Sequence, residues 1–232
     1  MTTRTHGLAA RLRDAHTLGV YCVDYTHDGK ALASCSHDSS VVVWDVDSRE
    51  PRRRYRGNNG PVFQVQFSPD RKASRLATVC YDGYLRVFVT ANGDLKLSLP
   101  HPVSVQTLAW SPAGDQIATG CKDGALTVWN LVIAPPPMNP AGHVGTVRRV
   151  RWHSSNTLIS CSDDHTIRIW SARHMSLQRK IAAHSGPVLD ININGDGSRL
   201  ISCSQDGSTR IWMFKTGKCA REIRGHRGCV FA

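Results

Sequence analysis

Residues 160–170 read SCSDDHTIRIW, which crowds Ser160, Cys161, Ser162, Asp163, Asp164 and His165 into one short stretch ending on Trp170. Taken alone, it holds the parts of a nucleophile with acid-base partners. Its recurrence decides otherwise. The pattern returns as SCSHDSSVVVW ending at Trp44, TVCYDGYLRVF ending at Phe88, TGCKDGALTVW ending at Trp129 and SCSQDGSTRIW ending at Trp212. Successive terminal aromatics lie 44, 41, 41 and 42 residues apart. A period of that length marks a repeat architecture, in which each unit is one supersecondary element that must stack on its neighbours to bury its apolar face.

Each copy carries the same upstream half. A Gly-His or Ala-His pair precedes an apolar alternating run, then a turn rich in Gly, Asp and Pro, then the apolar start of the quoted segment. AHTLGVYCVDYTHDGKALAS and AHSGPVLDININGDGSRLIS, at opposite ends of the chain, align throughout. Alternation with a period of two, bounded by such turns, predicts short antiparallel strands. No segment offers a 3.6-residue period of helical length.

These residues carry a resemblance to the WD-repeat β-propeller family. They are His16, His143, His184 and His226 in Gly-His or Ala-His pairs, His101 in a Pro-His pair, and the terminal Trp44, Trp129, Trp170 and Trp212. The resemblance implies an all-β fold of five complete four-stranded blades with fragments of a sixth, an incomplete ring. It divides the chain into an outer strand of a closing blade (1–15), blades at 16–57, 58–100, 101–142, 143–183 and 184–225, and the start of a sixth at 226–232. Pro135, Pro136, Pro137 and Pro140 fall in the outer strand of the third blade, where an edge tolerates them. Closure by further blades, closure by another chain, and a strained five-bladed ring all remain open.

Six residues before each terminal aromatic stands Asp38, Asp82, Asp123, Asp164 or Asp206, and ten before it stands Ser34, Thr78, Thr119, Ser160 or Ser202. The resemblance implies a chain of hydrogen bonds from the Trp indole to the Ser or Thr hydroxyl, from the hydroxyl to His, and from His to Asp. A buried donor left unpaired costs about 1–3 kcal/mol, so a linked set is chemically sensible. A catalytic triad needs one exposed nucleophile and an oxyanion hole, and nothing calls for several equivalent copies. His165 lies outside the repeated His position and reads as a turn residue. In the second repeat Asn58 replaces His and Phe88 replaces Trp, so Asp82 and Thr78 are expected to lack partners and this blade to be the least stiffly held. Extra residues within Arg71–Arg75 should lengthen its first hairpin loop.

Composition limits the remaining functions. The 232 residues contain no apolar run of membrane-spanning length and no signal peptide, so the expected compartment is cytoplasmic or nuclear. Arg4, Arg11 and Arg13 give the N-terminus a transit-peptide flavour, but GLAARLRDA aligns with the strand GKCAREIRG before His226. Eight cysteines are scattered without a Cys-x-x-Cys pair, and read as small buried residues. No metal or cofactor is implied. The formal charge of +11 predicts an acidic partner surface or a solvated basic exterior. Of the basic runs, Arg52, Arg53, Arg54 and Arg56 read as edge protection. Without interleaved aromatics they argue against nucleic acid.

In this family, partners meet the face carrying the loops into the innermost strands. The resemblance places Tyr21, Phe63, Gln106, Arg148 and Leu189 there, together with His37, Tyr81, Lys122, Asp163 and Gln205. Tyr21, Phe63, Tyr81 and Arg148 are the types that binding hot spots favour. Inner-strand packing for Tyr21 and Phe63, and pairing with Asp163 for Arg148, are the structural alternatives. Three functions follow for comparison: a non-catalytic scaffold that assembles a multiprotein complex, a recognition module of a larger protein (a ubiquitin-ligase receptor or nucleotide-binding switch protein) reading acidic or phosphorylated ligands, and an enzyme. No phosphate loop, metal spacing or singular acid-base pair supports the enzyme.

Overall fold

The computed structural model describes residues 12, 15–132, 142–226 and 228–231. Those residues form nineteen strands and no helix. The first sheet is β1 (Val20–Tyr25), β2 (Ala31–Ser36), β3 (Val41–Asp45) and β4 (Pro51–Tyr55). The second is β5 (Val62–Phe67), β6 (Arg75–Cys80), β7 (Tyr84–Val89) and β8 (Leu95–Pro100). The third holds β9 (Val105–Trp110), β10 (Gln116–Cys121) and β11 (Leu126–Asn130). The fourth is β12 (Val147–Ser154), β13 (Thr157–Ser162), β14 (Thr166–Ser171) and β15 (Ser176–Ala182). The fifth is β16 (Val188–Ile193), β17 (Arg199–Ser204), β18 (Ser208–Met213) and β19 (Cys219–Arg224). Every sheet is an antiparallel meander in chain order.

The third sheet shows three strands, not the expected four. The proline-bearing stretch assigned to its outer strand, residues 133–141, lies outside the described residues. Most of the expected closing strand, residues 1–11, 13 and 14, lies outside them as well. Leu12 and Ala15 are described, and they pack on Val42 and Trp44.

The sheets are local because each hairpin is closed by chemistry in its own sequence. The second and third strands of a blade are joined by a loop of three or four residues whose third residue takes a positive φ, the bulged turn that favours glycine. That residue is Gly83, Gly124 or Gly207 in three blades, but Ser39 (φ 71°) in the first and His165 (φ 67°) in the fourth. Gly124 has a second reason to be glycine: a Cβ there would lie 2.0 Å from the His143 carbonyl oxygen. In the second blade the first hairpin loop runs over 68–74, against 26–30 and 111–115 in its neighbours. Asp70 organises it, accepting from the Ser68 hydroxyl and from the amides of Lys72 and Ser74.

Stability comes from stacking. Inner strands β1, β5, β9, β12 and β16 are neighbours in that order. Four apolar cores fill the spaces between successive sheets: Cys35, Val43 and Phe67 between the first two, Val87, Leu108 and Ile117 next, then Val128, Val150 and Trp170, and finally Ile169, Ile191 and Trp212. An inner strand has no further strand beside it, so its backbone groups need other partners. The preceding blade supplies them. Asp24 accepts from Phe67 N at 2.8 Å, Gln64 from Leu108 N at 3.1 Å, Gln66 from Trp110 N at 3.2 Å and Thr107 from Val150 N at 3.3 Å. Between the last two blades Arg149 and Asp190 form a two-pronged ion pair instead.

The arc is open. Val62, Val105, Val147 and Val188, at one repeated position, are fully buried, but Val20 in the first blade is 51% exposed, and Leu18, Val23 and Tyr25 are exposed beside it. At the other end Ile201 and Ile223 are exposed, while Val230, the same position of the sixth repeat, is already seated with its amide on Ser204 O.

Candidate functional site

The repeated polar residues converge inside each blade, next to the loop between its second and third strands. In the fourth blade the Trp170 indole donates to Ser160 Oγ at 2.8 Å, Ser160 meets His143 Nε2 at 2.7 Å, and His143 Nδ1 meets Asp164 Oδ2 at 2.8 Å. The fifth repeats this with Trp212, Ser202, His184 and Asp206 at 2.9, 2.7 and 3.0 Å. In the first blade Trp44 and His16 share Ser34, but Asp38 stands 3.7 Å from His16 and the Ser40 hydroxyl fills the gap, 2.6 Å from His16 Nδ1.

Burial sets the protonation. It pushes the His143 imidazole down to about 4, against the pull of Asp164. Burial pushes the Asp164 carboxyl the other way, but the Thr166 hydroxyl and His143 outweigh it and hold the acid at about 2. Burial likewise lowers His16, His101 and His184. The serines are the reverse of nucleophiles: Ser34, Ser160 and Ser202 are buried, and each oxygen already accepts an indole proton.

Two blades depart from the pattern, each for a legible reason. In the third, His101 Nε2 meets Thr119 at 2.8 Å and the Trp129 indole reaches both, but His101 Nδ1 is buried with no partner. The expected bond to Asp123 is not made. Elsewhere the residue after His, or after Asn58, donates its amide to the aspartate: Thr17, Asn59, Val144 and Ser185 all do so. In the third blade that residue is Pro102, which has no N–H. The hydroxyl two residues beyond the aspartate, Ser40, Thr166 or Ser208, also bonds the imidazole. Here Ala125 offers none.

In the second blade the expectation for Asp82 is corrected. Arg86, on β7, pairs with Asp82 at 2.8 Å and donates to Asn58 Oδ1 at 3.2 Å, so a guanidinium stands in for the imidazole. Thr78 does lack a partner: its hydroxyl is buried and unbonded.

On the rim, the structure brings four of the expected partner-facing residues into a row. Tyr21 stacks on His37 at 5.7 Å and donates or accepts at His37 Nδ1 at 2.8 Å; Phe63 lies 5.7 Å from Tyr21, and Tyr81 meets Phe63 edge-on at 6.5 Å. Tyr21 and Tyr81 are half exposed, at 50% and 57%, and Phe63 is partly buried between them. Arg148 is held by Asp163 through two bonds of 2.7 Å. Gln106 bonds Ser104, Lys122 and Gln205 are exposed, and Leu189 is half-buried; no ring contact joins these to the row. The basic run on β4 faces its neighbours: Arg53 bonds the carbonyls of Ala91 and Asn92, Arg54 bonds that of Ala15, and Arg52 lies by Asp45. Among the described residues no group of three His, Cys, Asp or Glu side chains is placed to hold a metal, and no helix is long and apolar enough to cross a membrane.

The inter-blade stitches and the third hydroxyl were missed at the level of sequence. The hydroxyl had a signal, since Ser40, Thr166 and Ser208 recur at one offset. The stitches had none, because they depend on how two sheets are staggered.

Known proteins are similar to this chain in sequence. WD repeat-containing protein SL1-17 of Schistosoma mansoni is 29% identical over 163 residues, covering 69% of this chain and 53% of its own. Protein transport protein sec13 of Aspergillus clavatus is 27% identical over 206 residues, covering 72% and 70%. Protein Notchless of Drosophila melanogaster is 26% identical over 186 residues, covering 78% of this chain but 38% of its own length. A family model described as the IFT122 first beta-propeller matches residues 2–232. The chain therefore belongs to the IFT122 first beta-propeller family, within the WD-repeat β-propellers.

Proposed function

We propose that this chain is a non-catalytic scaffold that mediates assembly of a multiprotein complex, with Tyr21, His37, Phe63 and Tyr81 as the centre of its partner-binding rim. The observation that carries the reading is the row itself: two half-exposed tyrosines braced by a histidine and a phenylalanine. Aromatic side chains give large contact area at low entropic cost, and they dominate interface energetics. The blades beneath are stiffened by buried networks, which suits a platform. WD-repeat relatives support protein interaction as the general role, and one of them is named for protein transport.

Recognition of acidic or phosphorylated peptides draws on the charge of +11, but Arg148 is already neutralised by Asp163, which leaves Lys122 as the exposed rim cation. The test is affinity purification under crosslinking with the intact chain, Tyr81→Ala, Tyr21→Ala and Arg148→Ala. The tyrosine variants should lose partners while Arg148→Ala keeps them. Unchanged recovery with both tyrosine variants overturns the rim. Loss only with Arg148→Ala, together with binding to a phosphopeptide panel, would replace it with the acidic-ligand reading.

A further inference from the structure

We propose that Cys22 and Cys35 form an oxidation site at which hydrogen peroxide makes a disulfide between β1 and β2. The two residues stand directly opposite in the β1–β2 ladder. Residues so placed point to one face with Cα atoms about 4.5–5.5 Å apart, inside the roughly 4.4–6.8 Å that a disulfide spans. Both pack on the core between the first two sheets. Among the five described sheets only the first puts two thiols at these positions. The equivalent pairs are Gln64 with Val79, Thr107 with Gly120, Arg149 with Cys161 and Asp190 with Cys203.

The two thiols differ in the way the chemistry needs. Cys22 is half-buried and Cys35 fully buried. The neighbouring Cys35 thiol, then the Val65 backbone and the Arg149 guanidinium, favour the Cys22 thiolate and bring it down to about 7 although burial opposes them. Cys35 is pushed up by the same contact and by burial. Burial also pushes Cys80 up to about 11, Cys121 to about 12, Cys203 to about 11 and Cys161 well above its ordinary value. Reactivity follows the thiolate, so Cys22 is the attacking group and Cys35 the resolving one.

In the first step the Cys22 thiolate attacks one peroxide oxygen, the O–O bond breaks, and the departing hydroxide takes a proton to become water. Cys22 is left as a sulfenic acid. The Cys35 sulfur then attacks the Cys22 sulfur, the S–O bond breaks, and the hydroxyl leaves with the Cys35 proton as a second water. Peroxide gains two electrons and the thiol pair loses two.

The experiment uses the full chain carrying Cys219→Ser and Cys229→Ser, which removes the two exposed thiols. After peroxide treatment and tryptic cleavage, which separates the pair at Lys30, mass spectrometry should find the Cys22 and Cys35 peptides joined, and dithiothreitol should part them. Adding Cys35→Ser should leave a dimedone-reactive sulfenic acid at Cys22. A free Cys22 after peroxide exposure that oxidises Cys219 in the unsubstituted chain, or a bond from Cys22 to another cysteine, overturns the proposal. A measurement that needs no variant is iodoacetamide labelling at pH 7, where Cys22 should react about a hundredfold faster than Cys203. Equal rates overturn it too.

Discussion

The fourth and second blades answer the same problem with different chemistry. Both must hold a buried aspartate in a tight turn and anchor the segment that enters from the previous blade. The fourth uses a neutral imidazole in a chain from Trp170 through Ser160 and His143 to Asp164, in which every link is a hydrogen bond of 2.7 or 2.8 Å. The second replaces the imidazole with a permanent cation, Arg86, and abandons the indole end, leaving Thr78 without a partner and Phe88 as plain packing. A blade can therefore lose half of its network and keep its turn, provided something pairs with the aspartate.

Breaking that pair should have the largest effect. Arg86 and Asp82 have side chains only 7% and 10% exposed. Arg86→Ala leaves a buried carboxylate facing Asn58, and removing one partner of a buried pair costs about 3–5 kcal/mol. Urea unfolding should show the midpoint falling accordingly. A loss under about 1 kcal/mol, the scale of a surface pair, would mean that solvent already serves Asp82.

Next comes the hydroxyl at the centre of the fourth blade. Ser160→Ala strands the Trp170 indole and one nitrogen of His143, both buried, at about 1–3 kcal/mol each. Thr78→Val, at the same position of the second blade, should act in the opposite sense. That change removes a buried hydroxyl with no partner, so stability should rise by about 1 kcal/mol. The two substitutions should move the unfolding midpoint in opposite directions, and movement in the same direction would mean that the position matters for shape alone.

Acid should separate the blades as well. The folded-state value of His143 lies near 4, below its ordinary 6.5, so the unfolded chain binds the extra proton first and stability falls as pH drops from about 6.5 to about 4. Asp164, held at about 2, adds a second loss below its ordinary 3.8. The histidine contributes about 3 kcal/mol at neutral pH that is gone by pH 4. Amide exchange across β13 and β14 should accelerate over that window. Across β6 and β7, where a guanidinium and not an imidazole pairs with Asp82, it should begin only when Asp82 is protonated.

These contrasts show what a one-dimensional reading reaches. His143, Ser160, Asp164 and Trp170 sit at offsets that recur in blade after blade, so a repeat exposes them without any knowledge of the fold. Val20 and Val62 stand at one repeated position and look identical in sequence, and only stacking makes one exposed and the other buried. The offset of Arg86 does not mark its role either. Arg168 and Arg210 occupy the same offset in blades that keep their histidine: Arg168 bonds the Gly142 carbonyl and pairs with Asp164 at 3.2 Å beside His143, and Arg210 bonds the Ala183 carbonyl and pairs with Glu222. Arg168 shares Asp164 with an imidazole, whereas Arg86 holds Asp82 without one, and the loss of His at Asn58 separates the cases.

The third blade lies between the two extremes and supplies the finest test. It keeps His101, Thr119 and Trp129 but has lost the aspartate through two small changes, Pro102 and Ala125. In the first blade Asp38 stands off at 3.7 Å and Ser40 makes the link, so a hydroxyl alone can complete the chain. Ala125→Ser restores that hydroxyl beside the unpartnered His101 Nδ1. One new buried hydrogen bond contributes about 0.5–1.5 kcal/mol, a rise of a few degrees in Tm for a chain of this size. Pro102→Val separates the causes, since it returns the backbone donor without adding a hydroxyl, as Val144 does in the fourth blade. If Ala125→Ser leaves Tm unchanged while Pro102→Val raises it, the backbone amide organises the aspartate and the hydroxyl only follows. If both are silent, His101 is held by Thr119 and Trp129 alone, and the networks are less cooperative than the fourth blade implies.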